Sequence, residues 1–152
     1  MNNIIIRPAE LADLQILKEF EQGIITTERP FNDSLKTEDI CYYDIAALIS
    51  GDNSCVMVAE ENGKLVGSGY GRIAESKAHL VHDFHVYLGF MFVAATHRGQ
   101  GINQRVIEAL IAWGKARDMH DFYLDVYAEN HSAQNAYAKL GFKPLLLEMK
   151  LC

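Results

Sequence analysis

The chain has 152 residues, 49% of them hydrophobic and 22% charged, with a formal net charge of −6. That is enough for one domain burying about two-thirds of its unfolded surface, and the negative balance excludes the basic stripe that a nucleic-acid partner needs. Cys41, Cys55 and Cys152 are scattered and odd in number, which excludes a disulfide framework and a CxxC metal site. With no apolar run of membrane-span length and no basic leader ahead of an apolar core, a cytoplasmic protein without a membrane partner is expected.

Ile4 to Arg7 reads as a strand stopped by Pro8, after which Leu11, Leu14, Leu17 and Phe20 fall on one side of a helix. The segment GIITTERPFNDSL, with Pro30 and the polar Asn32, Asp33 and Ser34, reads as a loop leading to a second helix over Thr37 to Ile49. Cys55 to Ala59 and Leu65 to Ile73 read as the strands of a hairpin, because the Asn62-Gly63 pair between them tolerates positive φ at both turn positions. Gly67, Gly69 and Gly71 share one face of the second strand. Either they give room to Tyr87, Phe90 or Phe92 on the next strand, or they form a shallow substrate floor.

His79, His82 and His85 have the intrinsic pKa of a proton acceptor at neutral pH, but a strand sends residues at this spacing to alternating faces, so no metal site is expected. The strand ending Phe92-Val93-Ala94 breaks into THRGQGIN and then into a helix over Ile102 to Arg117, whose Ile102, Val106, Ile107, Leu110, Ile111 and Trp113 form an apolar arc. A glycine pair between strand and helix aims backbone N–H groups and the positive end of the helix dipole at one place, which makes an anion cradle. The spacing is not that of a P-loop, and a dinucleotide fingerprint would put a third glycine where Gln104 stands. Phe122 to Tyr127 then reads as a strand parallel to the one before the cradle, Asn130 to Leu140 as a helix, and Leu145 to Leu151 as a closing strand.

Arg98-Gly99-Gln100-Gly101-Ile102-Asn103 resembles the R-x-x-G-x-G/A pyrophosphate loop of the GCN5-related N-acetyltransferases. Asn130, Ala133, Tyr137, Leu140, Gly141 and Phe142 match the N-x-x-A-x-x-x-Y-x-x-L-G-F pattern of that family's second cofactor-binding helix. The resemblance implies an α/β (α+β) fold over a single domain, residues 1–152. Its mixed, mostly antiparallel sheet would have six or seven strands, opened into a V and flanked by four helices. It implies acetyl-CoA as cosubstrate and no metal, with the amides of Gly99, Gly101, Ile102 and Asn103 on the diphosphate and Arg98 as a cationic contact. The Val93 amide would bond the pantetheine arm or polarise the thioester carbonyl. Asn103 departs from the small residue that closes the pattern, which does no harm if its amide faces the phosphate and its side chain points away, but displaces the cofactor if the side chain must point inward. Asn130 either caps its helix or bonds the cofactor.

Moving an acetyl group from a thioester to an amine needs a neutral amine, a stabilised oxyanion and a proton for the leaving thiolate. Tyr137 is the candidate acid, since its phenol keeps a proton at neutral pH. Glu28, in the loop expected to wall the acceptor site, His85, or a chain of waters would take the proton from the amine. Ser132 lacks a base partner, so transfer by direct attack in a ternary complex is expected. The reading is acetyl-CoA-dependent N-acetylation of a primary amine on a small molecule or peptide, with a homodimer left open. A non-catalytic acyl-CoA-binding sensor would keep the cradle but have no use for Tyr137.

Overall fold

The computed structural model describes residues 3–152. Five strands lie side by side in chain order: β1 (Ile4–Pro8), β2 (Ser54–Glu61), β3 (Lys64–Glu75), β4 (Phe84–Val93) and β5 (Phe122–Leu124). β1 to β4 are antiparallel and β5 is parallel to β4. Four helices accompany them: α1 (Leu14–Glu28), α2 (Ile45–Ser50), α3 (Ile102–Lys115) and α4 (His131–Lys139). The mixed, mostly antiparallel sheet and the four helices are as expected, with five strands in place of six or seven.

Both faces of the sheet are covered. On one, Cys55, Ala59, Val66, Val86 and Leu88 pack against Ile102, Val106, Ile107 and Leu110 of α3. On the other, Val56, Val58, Leu65, Tyr70 and Phe90 pack against Leu17, Phe20 and Ile24 of α1 and Ile45 of α2. Asn62 and Gly63 turn β2 into β3 at φ of 50° and 83°, as the hairpin signal requires. Gly67, Gly69 and Gly71 turn out to serve α3. A Cβ on Gly69 would come within 2.8 Å of Val106 and of the Met91 sulfur, and one on Gly67 within 3.0 Å of Ile102. Their bare face lets the helix lie close to the sheet, so the room is neither for strand-neighbour aromatics nor for a substrate floor.

β4 carries an irregularity that shapes the site. Its register with β3 shifts between Ser68 and Tyr70, where Phe90 sits at φ 59°. The extra residue reverses the alternation, so Val86 and Leu88 face α3 while Phe90, two residues on, faces α1. A left-handed backbone at a bulky residue is strained. The fully buried Ser68 pins it, its hydroxyl donating to the Phe90 carbonyl at 3.0 Å.

Besides β5, which stops at Leu124 instead of Tyr127, three elements differ from the sequence reading. α1 runs on through the expected loop to Glu28: Gly23 and the β-branched Ile24, Ile25, Thr26 and Thr27 are poor helix formers, but Ile24 and Ile25 are buried in the core. Gly23 also lies so close to β4 that a Cβ there would meet the Phe92 ring at 2.8 Å. The second helix shrinks to Ile45–Ser50, started by Asp44, whose carboxylate accepts from the Ala47 amide at 3.1 Å. Leu145 to Leu151 form no strand, and Leu145, Leu146, Leu147, Met149 and Leu151 are exposed. Alternation marks the face of a strand but supplies no partner, and the three-residue β5 edge takes none here. Among the described residues no helix is long and apolar enough to cross a membrane.

Candidate active site

The cradle is built at the carboxyl end of β4. Past Val93, the Ala94 amide donates to the Val66 carbonyl at 2.8 Å, and His97 reaches Glu61 at 2.9 Å, clipping the turn to the β2–β3 hairpin. Gly99 and Gly101 then take φ of +79° and +77°, and Gly101 stands at the N-cap of α3 with no side-chain cap. A Cβ on either glycine would meet nothing within 4 Å. Glycine is therefore needed for backbone direction, and the space in front of the amides is open. The first N–H groups of α3 have no intrahelical partner and carry the positive end of its dipole. Arg98 is exposed beside them, and none of its donors is engaged among the described residues.

Asn103 lies in the first turn of α3, half-buried, with its Oδ1 shielded from water and without a partner. Turning that amide over would exchange the orphaned acceptor for a donor, which is the group an anion's oxygen satisfies. The side chain does not point freely outward, contrary to the condition set from sequence, while its backbone amide remains at the helix start. Asn130 caps α4, its Oδ1 accepting from the Ala133 amide at 3.2 Å.

A wedge opens next to the cradle. β4 and β5 pair only over Val86–Leu88 and Phe122–Leu124, whereas β4 continues to Val93. Along a strand successive N–H groups point to opposite sides. Since the Ala94 N–H points to β3, the Val93 N–H points to the side that β5 has left.

Glu28 and Tyr137 are near enough for the carboxylate charge to act on the phenol. Tyr137, on α4, packs edge-on against Phe142 at 6.1 Å between centroids, and its phenol is pushed up to about 12 by burial and then by the charge of Glu28. The Glu28 carboxyl, at the last residue of α1, is itself raised above the usual carboxylate range by burial, partly offset by the Tyr42 phenol. That phenol is buried beside Glu28 without closing a well-formed hydrogen bond. At neutral pH such a carboxylate can take a proton and such a phenol can donate a hydrogen bond.

His85 stands elsewhere. It pairs with Ala74 near the start of β4, and at about 3.3 Å per residue it is separated from Val93 by about 26 Å of strand. There the Ser76 hydroxyl bridges the Nδ1 atoms of His82 and His85 at 2.6 and 2.9 Å, and His82 Nε2 meets the Tyr123 hydroxyl at 2.8 Å. Burial holds the His85 imidazole below its ordinary pKa, with His82 and Arg72 adding to the effect. This cluster ties the β3–β4 connection to β5 at the closed end of the wedge.

Two residues absent from the sequence reading lie near Glu28. Tyr43 packs on Tyr70 and Phe90, each at 5.3 Å between centroids, and Tyr42 packs edge-on against Tyr43 at 5.6 Å. A tyrosine pair after a polar, proline-containing loop was the available signal, hidden because Thr37 to Ile49 reads as one helix.

The model of the acetyltransferase (GNAT) family matches residues 17–142. The chain belongs to this family. Among curated GNAT-like relatives, the uncharacterized N-acetyltransferase YobR of Bacillus subtilis is 38% identical over 58 residues, 38% of this chain and 24% of that protein. N-alpha-acetyltransferase 40 of Saccharomyces cerevisiae is 32% identical over 110 residues, 68% of this chain and 35% of that protein. The chain thus spans about a quarter to a third of the length of these relatives. Solved structures share the GNAT fold: a mutant of a Bacillus halodurans protein, at TM-score 0.86 and 24% identity, covers 97% of this chain and 98% of its own. A predicted acetyltransferase of Clostridium acetobutylicum solved with acetyl-CoA gives 0.79 at 18% identity, over 98% of this chain and 96% of its own.

Proposed function

We propose that this chain transfers the acetyl group of acetyl-CoA to a primary amine by direct attack in a ternary complex. The reading rests on the open amides at Gly99 and Gly101, on the Val93 N–H facing the unpaired side of β4, and on Glu28 and Tyr137 being near enough for the charge of one to act on the other. Acetyl-CoA supplies an acyl carbon activated as a thioester. The amides at Gly99, Gly101, Ile102 and Asn103, with Arg98, hold its diphosphate, and the Val93 N–H receives the carbonyl oxygen as it gains negative charge.

Glu28 takes the proton that the ammonium must lose before nitrogen can attack. Its raised pKa makes it a stronger base than a surface carboxylate and favours a cationic acceptor nearby. When the carbon–sulfur bond breaks, the Tyr137 hydroxyl donates a hydrogen bond to the departing sulfur as charge builds there, and the thiolate takes its proton from water. His85 is too far along β4 to share in this and is assigned no step.

The similarity to an N-alpha-acetyltransferase favours testing peptide N-termini beside polyamines, aminoglycosides and free amino acids. The test is kcat/KM against pH for the wild type and Glu28→Gln. The wild-type rate should fall as pH drops through the Glu28 pKa, and the variant should lose most of its rate and that limb. An unchanged limb in the variant would transfer the proton to a water chain.

A further inference from the structure

The segment from Asn32 to Asp44 has no helix or strand, and its backbone groups still need partners. Side chains of α1 and of Arg29, just after it, supply several of them in antiparallel order. Arg29 donates to the carbonyls of Lys36 and Glu38 at 2.6 and 3.3 Å, and Gln22 Nε2 to that of Ile40 at 2.9 Å. Glu21 Oε2 accepts from both the Tyr42 and the Tyr43 amides, each at 2.8 Å. Arg29 and Gln22 make bonds that water can replace. Glu21 does not: it is 2% exposed, among the buried Leu17, Ile24 and Ile25 of the same helix face.

A carboxylate in the middle of an apolar stripe is an expensive anchor, since burying a charge without full compensation is unfavourable and an apolar side chain would serve packing alone. What it provides is direction. Two charge-assisted bonds from adjacent amides to one oxygen fix the peptide between Tyr42 and Tyr43. Fixing it sets the Tyr42 phenol against Glu28 and the Tyr43 ring on Tyr70 and Phe90, at the bulge of β4.

We propose that Glu21 is a positioning residue: it holds the Tyr42–Tyr43 wall over Glu28 and so governs acceptor binding and the environment of the base. This rests on the proposed role of Glu28. Tyr42 and Tyr43 from the loop and Tyr137 from α4 are the groups that the Glu28 carboxyl acts on, and Arg29 and Tyr127 act in turn on the Tyr42 phenol.

The experiment compares Glu21→Ala and Glu21→Gln with the wild type in three readouts. They are amide hydrogen exchange at Tyr42 and Tyr43, NMR titration of the Glu28 carboxyl, and steady-state kinetics with spermidine and with a tripeptide bearing a free N-terminus. In Glu21→Ala both amides should exchange at least tenfold faster while those of α3 stay protected. Glu28 should titrate closer to an ordinary carboxylate, because burial by the wall outweighs the opposing Tyr42 contact. Any amine turned over should lose at least tenfold in kcat/KM, mainly through its KM, with acetyl-CoA affinity within twofold.

Glu21→Gln keeps an acceptor oxygen and should fall between the two, and it carries the test if the alanine variant does not fold. Unchanged exchange at Tyr42 and Tyr43, or an unmoved Glu28 titration, would overturn the proposal whatever happens to Tm. Glu28→Gln separates the two ideas. A lost low-pH limb there with an unmoved one in Glu21→Ala defeats the positioning role alone, whereas a retained limb in Glu28→Gln defeats the base and leaves the exchange and titration readouts standing.

Discussion

Replacing Tyr137 by Phe removes one hydroxyl and keeps the ring against Phe142. No protein group bonds that hydroxyl among the described residues, so stability should change by less than about 0.5 kcal/mol. The catalytic effect can be bounded from the environment of the phenol. General acid catalysis is typically worth roughly 100- to 10,000-fold. Here burial and Glu28 push the phenol to about 12, whereas a thiol has a pKa of about 8.5. Full transfer to a free thiolate is therefore uphill, and Tyr137 acts chiefly as a hydrogen-bond donor to the sulfur as charge builds there. The expected loss is at the low end, about 100-fold in kcat or about 2.7 kcal/mol of barrier. Because the interaction strengthens in the transition state, the KM for acetyl-CoA should barely move. Single-turnover thiol release under saturating amine measures this directly. A variant with wild-type kcat, or one whose whole loss lies in KM, would refute the argument and leave Tyr137 as a core residue.

Gly101→Val should abolish measurable acetyl-CoA binding in calorimetry while the protein stays folded: a left-handed β-branched residue is strained, but its Cβ would enter open space before the cradle, with nothing within 4 Å. Ser68→Ala removes the bond that pins the strained Phe90 carbonyl, and should cost about 1–2 kcal/mol in chemical denaturation and lower kcat/KM by loosening the bulge. The His85 imidazole, held below its ordinary pKa, binds its proton more readily in the unfolded chain than in the folded one. Stability should therefore be full above about pH 6.5 and decline as pH falls through the folded pKa. His85→Gln should flatten part of that decline without altering kcat.

The cradle and α4 are legible in the sequence because local chemistry writes them. Glycines at 99 and 101 supply the two left-handed positions, Asn130 caps its helix, and the apolar arc from Ile102 to Leu110 meets the sheet as its spacing implies. What escapes is set by tertiary contact. Glu28 belongs to a helix whose last turns are stabilised by burial of Ile24 and Ile25 against propensity, so it reads as a loop residue. Tyr42 and Tyr43 are placed by Glu21, which lies on a different element and carries no local mark. His85 is near Val93 in sequence but not in space, since an extended strand carries it the length of the sheet. The bulge at Phe90 is equally silent: one inserted residue reverses which face every later side chain meets.

The central claim is that the wedge beside the cradle brings a thioester and an amine together between Glu28 and Tyr137. The most direct measurement follows thiol release and acetylated amine in the same reaction, across peptide N-termini, polyamines, aminoglycosides and amino acids, with wild type, Glu28→Gln and Tyr137→Phe side by side. The account predicts equal amounts of free thiol and N-acetylated product for at least one amine, and a large rate loss in both variants with acetyl-CoA binding intact. Tight acetyl-CoA binding by the wild type with no acetylated product from any of these amines would contradict it and point to a protein that senses acyl-CoA without using it.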